Sequence, residues 1–363
     1  MNGNFPFETL EEKYENFTQP FVVLLINGNI FTHDQFTISD IKIELTCEFP
    51  ANFAVFTLHG VEEAGENKFY AELQELFELG AKIEIQMGYN NNAESIFTGF
   101  ISGKTYQLLH EKPGGSVKIY CMDVKGVMMN NTTYTQTRFT SASSLMQDLL
   151  GKKSYSSIID NSVIMQSQIQ EHLIETIDES DYELSVRLAK NIGYEFFVSQ
   201  GTVYFRKARS QNTPITKLSL KKGLNGLTVD YNIVGMLDSV EVRNTNRDTG
   251  DPIKGRAKSA AHYSSGPSAS KILTTAQKVV FDSTVNSPSE AQQKAYIILE
   301  DQNWNFAWGD FSCVGIPDVI PGRFITMCEI LDELNKDFYI THVTHTLAKE
   351  KFQTNLKARL SSL

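Results

Sequence analysis

Lys82-Ile83-Glu84-Ile85-Gln86-Met87-Gly88-Tyr89 alternates apolar and polar residues, so Ile83, Ile85, Met87 and Tyr89 share one face with Lys82, Glu84 and Gln86 opposite. This pattern predicts an antiparallel strand with one solvated side. Residues 40–45 and 116–121 carry the same period, and the clusters Tyr89 to Asn92 and Pro113-Gly114-Gly115 read as the turns between runs. Five to seven strands are therefore expected in the first 130 residues. A helix over 69–79 interrupts them, with Phe69, Leu73, Leu76 and Phe77 at helical spacing and Gly80 as its stop.

From residue 131 the texture changes. Ser/Thr-rich sequence precedes a short helix over 142–150 that ends at Gly151. Ser180-Asp181-Tyr182-Glu183 is a capping box, in which hydroxyl and carboxylate each satisfy an orphan backbone donor. Leu184, Leu188, Ala189 and Ile192 continue it as an apolar stripe, and Gly193 terminates the helix. Residues 195–198 and 202–206 then form a hairpin across Ser199-Gln200-Gly201. After Pro214 the alternation resumes, most clearly over 238–243. Residues 244–270 are polar and rich in Gly, Ser and Asp, and are expected as an exposed loop around a short strand. Ser287-Pro288-Ser289-Glu290 is a second capping box opening a helix to about residue 304, with Ala291, Ala295, Ile298, Leu299 and Gln302 inward. The last 55 residues return to strands, including 338–346 and 352–360.

The expected fold is mainly β with an α+β insertion. Two antiparallel β-barrel-like domains, 1–130 and 213–363, are related to each other by their order of elements and flank a small α/β domain at 131–212.

A chain of 363 residues suits two or three domains, and its 41% hydrophobic and 21% charged residues are those of a globular protein. The net charge of -10 argues against general nucleic-acid binding, which needs clustered cations. Cys47, Cys121, Cys313 and Cys328 lie far apart, which predicts buried free thiols rather than a zinc site or disulfide framework. The N-terminus lacks a basic start and an apolar run, and no stretch has 18 apolar residues, so a cytoplasmic protein with neither signal peptide nor membrane span is expected.

Candidate chemistry is sparse. His342 and His345 are spaced like metal ligands, but on a strand residues three apart point to opposite faces. The other histidines, at 33, 59, 110, 172 and 262, show no grouping. Asp178-Glu179-Ser180-Asp181 contains paired carboxylates, which a helix N-terminus explains more simply. Trp304, Phe306, Trp308 and Phe311 form an aromatic group suited to packing, or to stacking on a sugar or base. Lys349, Lys351, Lys357 and Arg359 alternate with apolar residues as the solvated side of a strand. Nucleophile-elbow and phosphate-loop motifs are missing, so no catalytic, metal or cofactor residue and no cofactor is expected. Arg243, Arg247, Asp251, Lys254, Arg256, His262 and Tyr263, in and beside the polar loop, are the interface candidates.

Four stretches carry a family resemblance. They are Ile96-Phe97-Thr98-Gly99-Phe100-Ile101; the run 117–123 with its Asp123; the run 181–196 from Asp181-Tyr182-Glu183-Leu184 to Gly193-Tyr194-Glu195-Phe196; and Gly315-Ile316-Pro317-Asp318-Val319-Ile320-Pro321-Gly322-Arg323-Phe324-Ile325. With them the chain resembles the tail-hub family: central hubs of contractile phage baseplates, late control D proteins and the N-terminal half of type VI secretion spikes. The resemblance implies a non-enzymatic homotrimer whose two tube domains per subunit make a pseudo-sixfold ring between a hexameric tail tube and a trimeric spike. It implies tube, spike, baseplate wedge and tape-measure proteins as partners, neither stable nucleic-acid binding nor membrane binding, and a place in the baseplate of a virion or tail-like particle assembled in the bacterial cytoplasm. The type VI spikes continue into a needle, whereas this sequence ends after the second tube domain, so the spike is expected as a separate chain. A β-rich cell-wall hydrolase and a carbohydrate- or receptor-binding tail module are the alternatives.

Overall fold

The computed structural model describes residues 5–31, 37–59, 75–109, 112–132, 135–168, 172–176, 178–259 and 267–360. After a short helix α1 (Phe7–Lys13), the alternating first segment becomes β1 (Pro20–Ile26), β2 (Asn29–Phe31), β3 (Thr37–Thr46), β4 (Phe53–His59), β5 (Lys82–Tyr89), β6 (Asn92–Leu109) and β7 (Lys112–Met122). The strand β5 keeps the phase read from sequence, burying Ile83, Ile85, Met87 and Tyr89. Its turn into β6 is Asn90-Asn91, with Asn90 at φ 48, a left-handed conformation that asparagine tolerates. Pro113-Gly114-Gly115 is not a turn. The β6–β7 ladder runs from Gln107↔Ser116 to Leu109↔Lys112, so these residues form a bulge inside β7. The helix expected over 69–79 falls mostly outside the described residues; within them Glu75 and Leu76 are helical and Phe77 is buried.

The insertion contains α2 (Val124–Asn130), β8 (Thr135–Phe139), α3 (Ala142–Leu150), α4 (Lys153–Ser156), β9 (Asn161–Ile164), β10 (His172–Thr176), α5 (Asp181–Ile192), β11 (Tyr194–Ser199) and β12 (Thr202–Lys207). The capping box of α5 is formed as read: Glu183 N–H donates to Ser180 Oγ (3.1 Å) and Ser180 N–H to Glu183 Oε2 (2.8 Å). Gly193 closes the helix at φ +70. Leu145, Met146, Leu149, Leu184, Leu188, Phe196 and Phe205 make a separate core, to which α2 adds Val124 and Met128.

The last segment supplies β13 (Pro214–Leu218), β14 (Leu224–Tyr231), β15 (Ser239–Thr245), β16 (Pro252–Lys258), α6 (Pro267–Leu273), β17 (Gln277–Phe281), α7 (Pro288–Asn303), β18 (Ala307–Val314), β19 (Phe324–Met327), β20 (Asp337–Ala348) and β21 (Lys351–Leu360). The two outer segments share one 13-stranded sheet, ordered β14-β18-β21-β20-β3-β4-β7-β6-β5-β1-β2, with β19 on β20 and β13 on β19. The seam is β3 on β20. Its facing pairs Ile41–Leu347, Ile43–His345 and Leu45–Val343 are all buried, so apolar faces that each segment could only half cover form one core. This mainly antiparallel β architecture is the expected fold class.

The expected loop over 244–270 is corrected. β15 and β16 form a regular hairpin, joined by β17 into a small sheet ordered β16-β15-β17. Its Val240, Val242 and Ile253 pack on Ala291, Ala295 and Leu299 of α7, forming a third core. Asn303, rather than Gln302, completes the inner face of α7, because it lies one further turn from Leu299; it accepts from Leu237 N–H (2.8 Å) and donates to Leu237 O (2.9 Å). The second capping box is only half formed. Ser287 Oγ accepts from Glu290 N–H, while Glu290 reaches Asn286 N–H, one residue earlier than the box requires. Gly255 lets the helix lie directly on the strand, since a Cβ there would come within 2.0 Å of Gln292 N.

Candidate functional site

The insertion is tied to the main sheet by a buried polar joint. Arg206 Nε donates to Glu195 Oε1 (2.7 Å), Tyr339 Oη donates to Glu195 Oε2 (2.5 Å), and Arg206 Nη2 donates to Gly322 O (2.6 Å). The guanidinium also lies over the stacked rings of Phe197 and Tyr204, at 5.1 and 5.0 Å. Burial pushes the Glu195 carboxyl up from its ordinary value, against the pull of Arg206, and holds the Tyr339 hydroxyl well above its own. A cleft of about 220 Å³ opens beside this joint, between Phe197, Ser199, Arg206, Gly322 and Arg323. The joint's donors and acceptors meet one another, an arrangement that fixes position rather than performing chemistry.

The small sheet presents a different surface. Side chains alternate along its strands, so Val240, Val242, Ile253 and Ala257 face α7 while Glu241, Arg243, Lys254, Arg256 and Lys258 face away. Register places Arg243 opposite Lys254 and Glu241 opposite Arg256. Arg243 Nε donates to Glu241 Oε1 (2.6 Å) and Arg256 Nη2 to Ser239 Oγ (3.1 Å). The parallel strand β17 sets Val279 and Phe281 beside Glu241 and Arg243, 58% and 70% exposed. The face thus carries an apolar pair on one edge strand, β17, and a row of cations on the other, β16, with Glu241 and Arg243 between them.

Of the interface candidates, the structure brings Arg243, Lys254 and Arg256 together on this face. Arg247 and Asp251 lie instead in the exposed turn at the hairpin's end, which Asn246 braces by accepting from Asp248 N–H (2.8 Å). His262 and Tyr263 lie outside the described residues. Glu241, Lys258, Val279 and Phe281 were not among the candidates. The signal for β16 was present as Ile253-Lys254-Gly255-Arg256-Ala257-Lys258, an alternation inside the run taken as a loop.

Most of the remaining candidates engage neighbouring side chains or the core. His342 and His345 do point to opposite sides of β20. His342 is half-buried beside Glu48 (3.6 Å), whereas His345 is fully buried. Among the described residues no group of three or more His, Cys, Asp or Glu is arranged to hold a metal ion. Glu179 pairs with Arg187 (2.7 Å), and Asp181 is a buried acceptor for Tyr155, Lys152 (2.6 Å) and Asn131 (2.6 Å). In the aromatic group Phe306 and Phe311 are buried, Arg209 lies 4.0 Å over the Trp304 ring, and Trp308 is exposed. All four cysteines are free, three of them buried. No helix is long and apolar enough to cross a membrane among the described residues.

The sequence model of a family described as Alg8 N-terminal domain matches residues 20–349; the description names a domain and no activity. Among solved structures the chain is similar to a 43 kDa tail protein of prophage MuSo2 from Shewanella oneidensis, with TM-score 0.70 and 13% identity over 94% of this chain and 98% of that one. A tail protein from Neisseria meningitidis is similar at TM-score 0.70 and 14% identity, over 94% and 97%. An Escherichia coli component of the type VI secretion system, described as structurally similar to bacteriophage T4 tail proteins, follows at TM-score 0.59 and 12% identity, over 93% and 77%. These likenesses show that the chain has a phage-tail-protein fold. No curated protein matches the sequence.

Proposed function

The chain belongs to the Alg8 N-terminal domain family, and from its fold we propose that it is a structural hub subunit in the baseplate of a phage tail or a phage-derived contractile injection device. In this reading three copies form a ring. The β-domains 1–130 and 213–363 alternate around it in pseudo-sixfold fashion, with 131–212 as an insertion on each. The ring adapts a hexameric tail tube to a trimeric spike, with wedge and tape-measure proteins as further neighbours, in the tail particle rather than on a membrane or nucleic acid. The supporting observation is the fold match, which runs nearly end to end against two tail proteins of similar length. The shared sheet is consistent with it, because the β3–β20 seam joins the first and last β-segments through one continuous hydrogen-bonded ladder, through which a ring subunit can transmit load. A non-enzymatic role accords with a polar joint whose groups satisfy one another. The test is native mass measurement and electron microscopy of the purified chain, alone and with tube and spike proteins encoded beside it. A ring of three chains that binds both partners is expected. A monomer that binds neither refutes the reading.

A further inference from the structure

Among the described residues no element covers the open face of the β16-β15-β17 sheet on the side away from α7, and its charge opposes that of the rest of the chain. Arg243, Lys254, Arg256 and Lys258 against Glu241 give it four cations and one carboxylate, a net +3, so the remainder of a chain of net charge -10 carries -13. On the same face Val279 and Phe281 stand on the edge strand β17 beside Glu241 and Arg243, with Lys254, Arg256 and Lys258 across β15 on the other edge strand. A complementary element occurs elsewhere in the same chain. Between β19 and β20 the turn Glu329-Ile330-Leu331-Asp332-Glu333 exposes three carboxylates around Leu331, itself 64% exposed. The turn is held in shape, since Leu334 N–H and Asn335 N–H both donate to Leu331 O (2.7 and 3.0 Å) and Ile330 N–H donates to Asn335 Oδ1 (3.1 Å). A preshaped turn loses little freedom on docking.

We propose that the open face of this small sheet docks the acidic turn 329–333 of a second copy of the chain, Leu331 lying against Val279 and Phe281 and the carboxylates reaching across to Arg243 and the cations of β16. The apolar contact supplies affinity, while the opposed charges set orientation and speed encounter. Face and turn are different surfaces of one subunit, so the contact is heterologous, and head-to-tail repetition closes a ring when the rotation allows. The inference rests on the ring reading above and specifies which surfaces make it.

The test uses the full chain, with self-association measured by sedimentation velocity at low salt. Lys254→Glu with Lys258→Glu changes two exposed side chains of the face; Glu329→Lys with Glu333→Lys changes the turn. Each pair is expected to weaken association about tenfold or more, and the four changes together to restore it to within about threefold of wild type. Circular dichroism and melting temperature of each variant establish that it is folded. Association unchanged by either pair, or weakened by both without recovery in the combination, overturns the proposal. In that case a three-chain assembly that still binds tube and spike leaves the hub reading standing. A wild-type chain that is monomeric at every concentration overturns the proposal also, and tube and spike binding then decides the hub reading separately.

Discussion

His345 makes the stability of the seam depend on pH. Its ring is fully buried, with Nδ1 2.9 Å from Thr354 Oγ1 and Nε2 3.2 Å from Val319 O. Thr354 Oγ1 also accepts from Ile316 N–H (3.0 Å), so its own proton points to Nδ1 and the neutral ring donates from Nε2 to the carbonyl. Burial lowers the imidazole from its ordinary 6.5 to about 4, the Val319 carbonyl pulling weakly the other way. The folded value lies below the unfolded one, so on acidification the unfolded chain takes the proton first. The contribution is fully present above about pH 6.5 and is lost as pH falls towards 4. At about 1.4 kcal/mol per pH unit the complete loss is roughly 3 kcal/mol, of which about 2 kcal/mol has gone by pH 5. The assay is urea unfolding followed by tryptophan fluorescence at pH 7.5 and pH 5, for wild type and His345→Gln. Glutamine does not titrate, and every other group cancels in the difference. The wild-type advantage over the variant is expected to shrink by about 2 kcal/mol between the two pH values. An advantage that is the same at both would show that His345 titrates alike in the folded and unfolded chain and would refute the reasoning.

Gly255→Val is expected to push α7 off the small sheet at a cost of about 1–3 kcal/mol, read as faster amide exchange in residues 288–303 with the main sheet unaffected. Arg206→Met leaves the Glu195 carboxylate buried without its cation and should cost about 3–5 kcal/mol in thermal or urea unfolding, much of it recovered by adding Glu195→Leu; a cost below 1 kcal/mol would remove the joint from the account. Ser180→Ala breaks the α5 capping box and should cost about 1 kcal/mol, while Ser180→Asp should retain most of it. Burial pushes the Cys47, Cys121 and Cys313 thiols up, the last to about 12, so a thiol reagent at pH 8 should modify the half-buried Cys328 first, as read by mass spectrometry of peptides.

What the sequence determined by itself is local and periodic. The phase of β5, the stop of α5 at Gly193 and the capping box at Ser180 depend on residues within one or two turns of each other, and these are legible along the chain. The opposite facing of His342 and His345 was legible for the same reason. Where overall composition stood in for pattern the reading failed, as with the polar run whose Lys254, Arg256 and Lys258 were the outer half of a strand rather than a loop. Tertiary structure alone decided the rest. The β3–β20 seam joins residues some 300 positions apart, and an alternating strand says only that it has an apolar face, not which other strand will cover it. Asn303 supplanted Gln302 because Leu237, presented by another segment, offered it both a donor and an acceptor. The open face likewise required β17 to arrive beside β15 before Val279 and Phe281 stood next to Arg243. No local rule brings those side chains together; only the pairing of strands does.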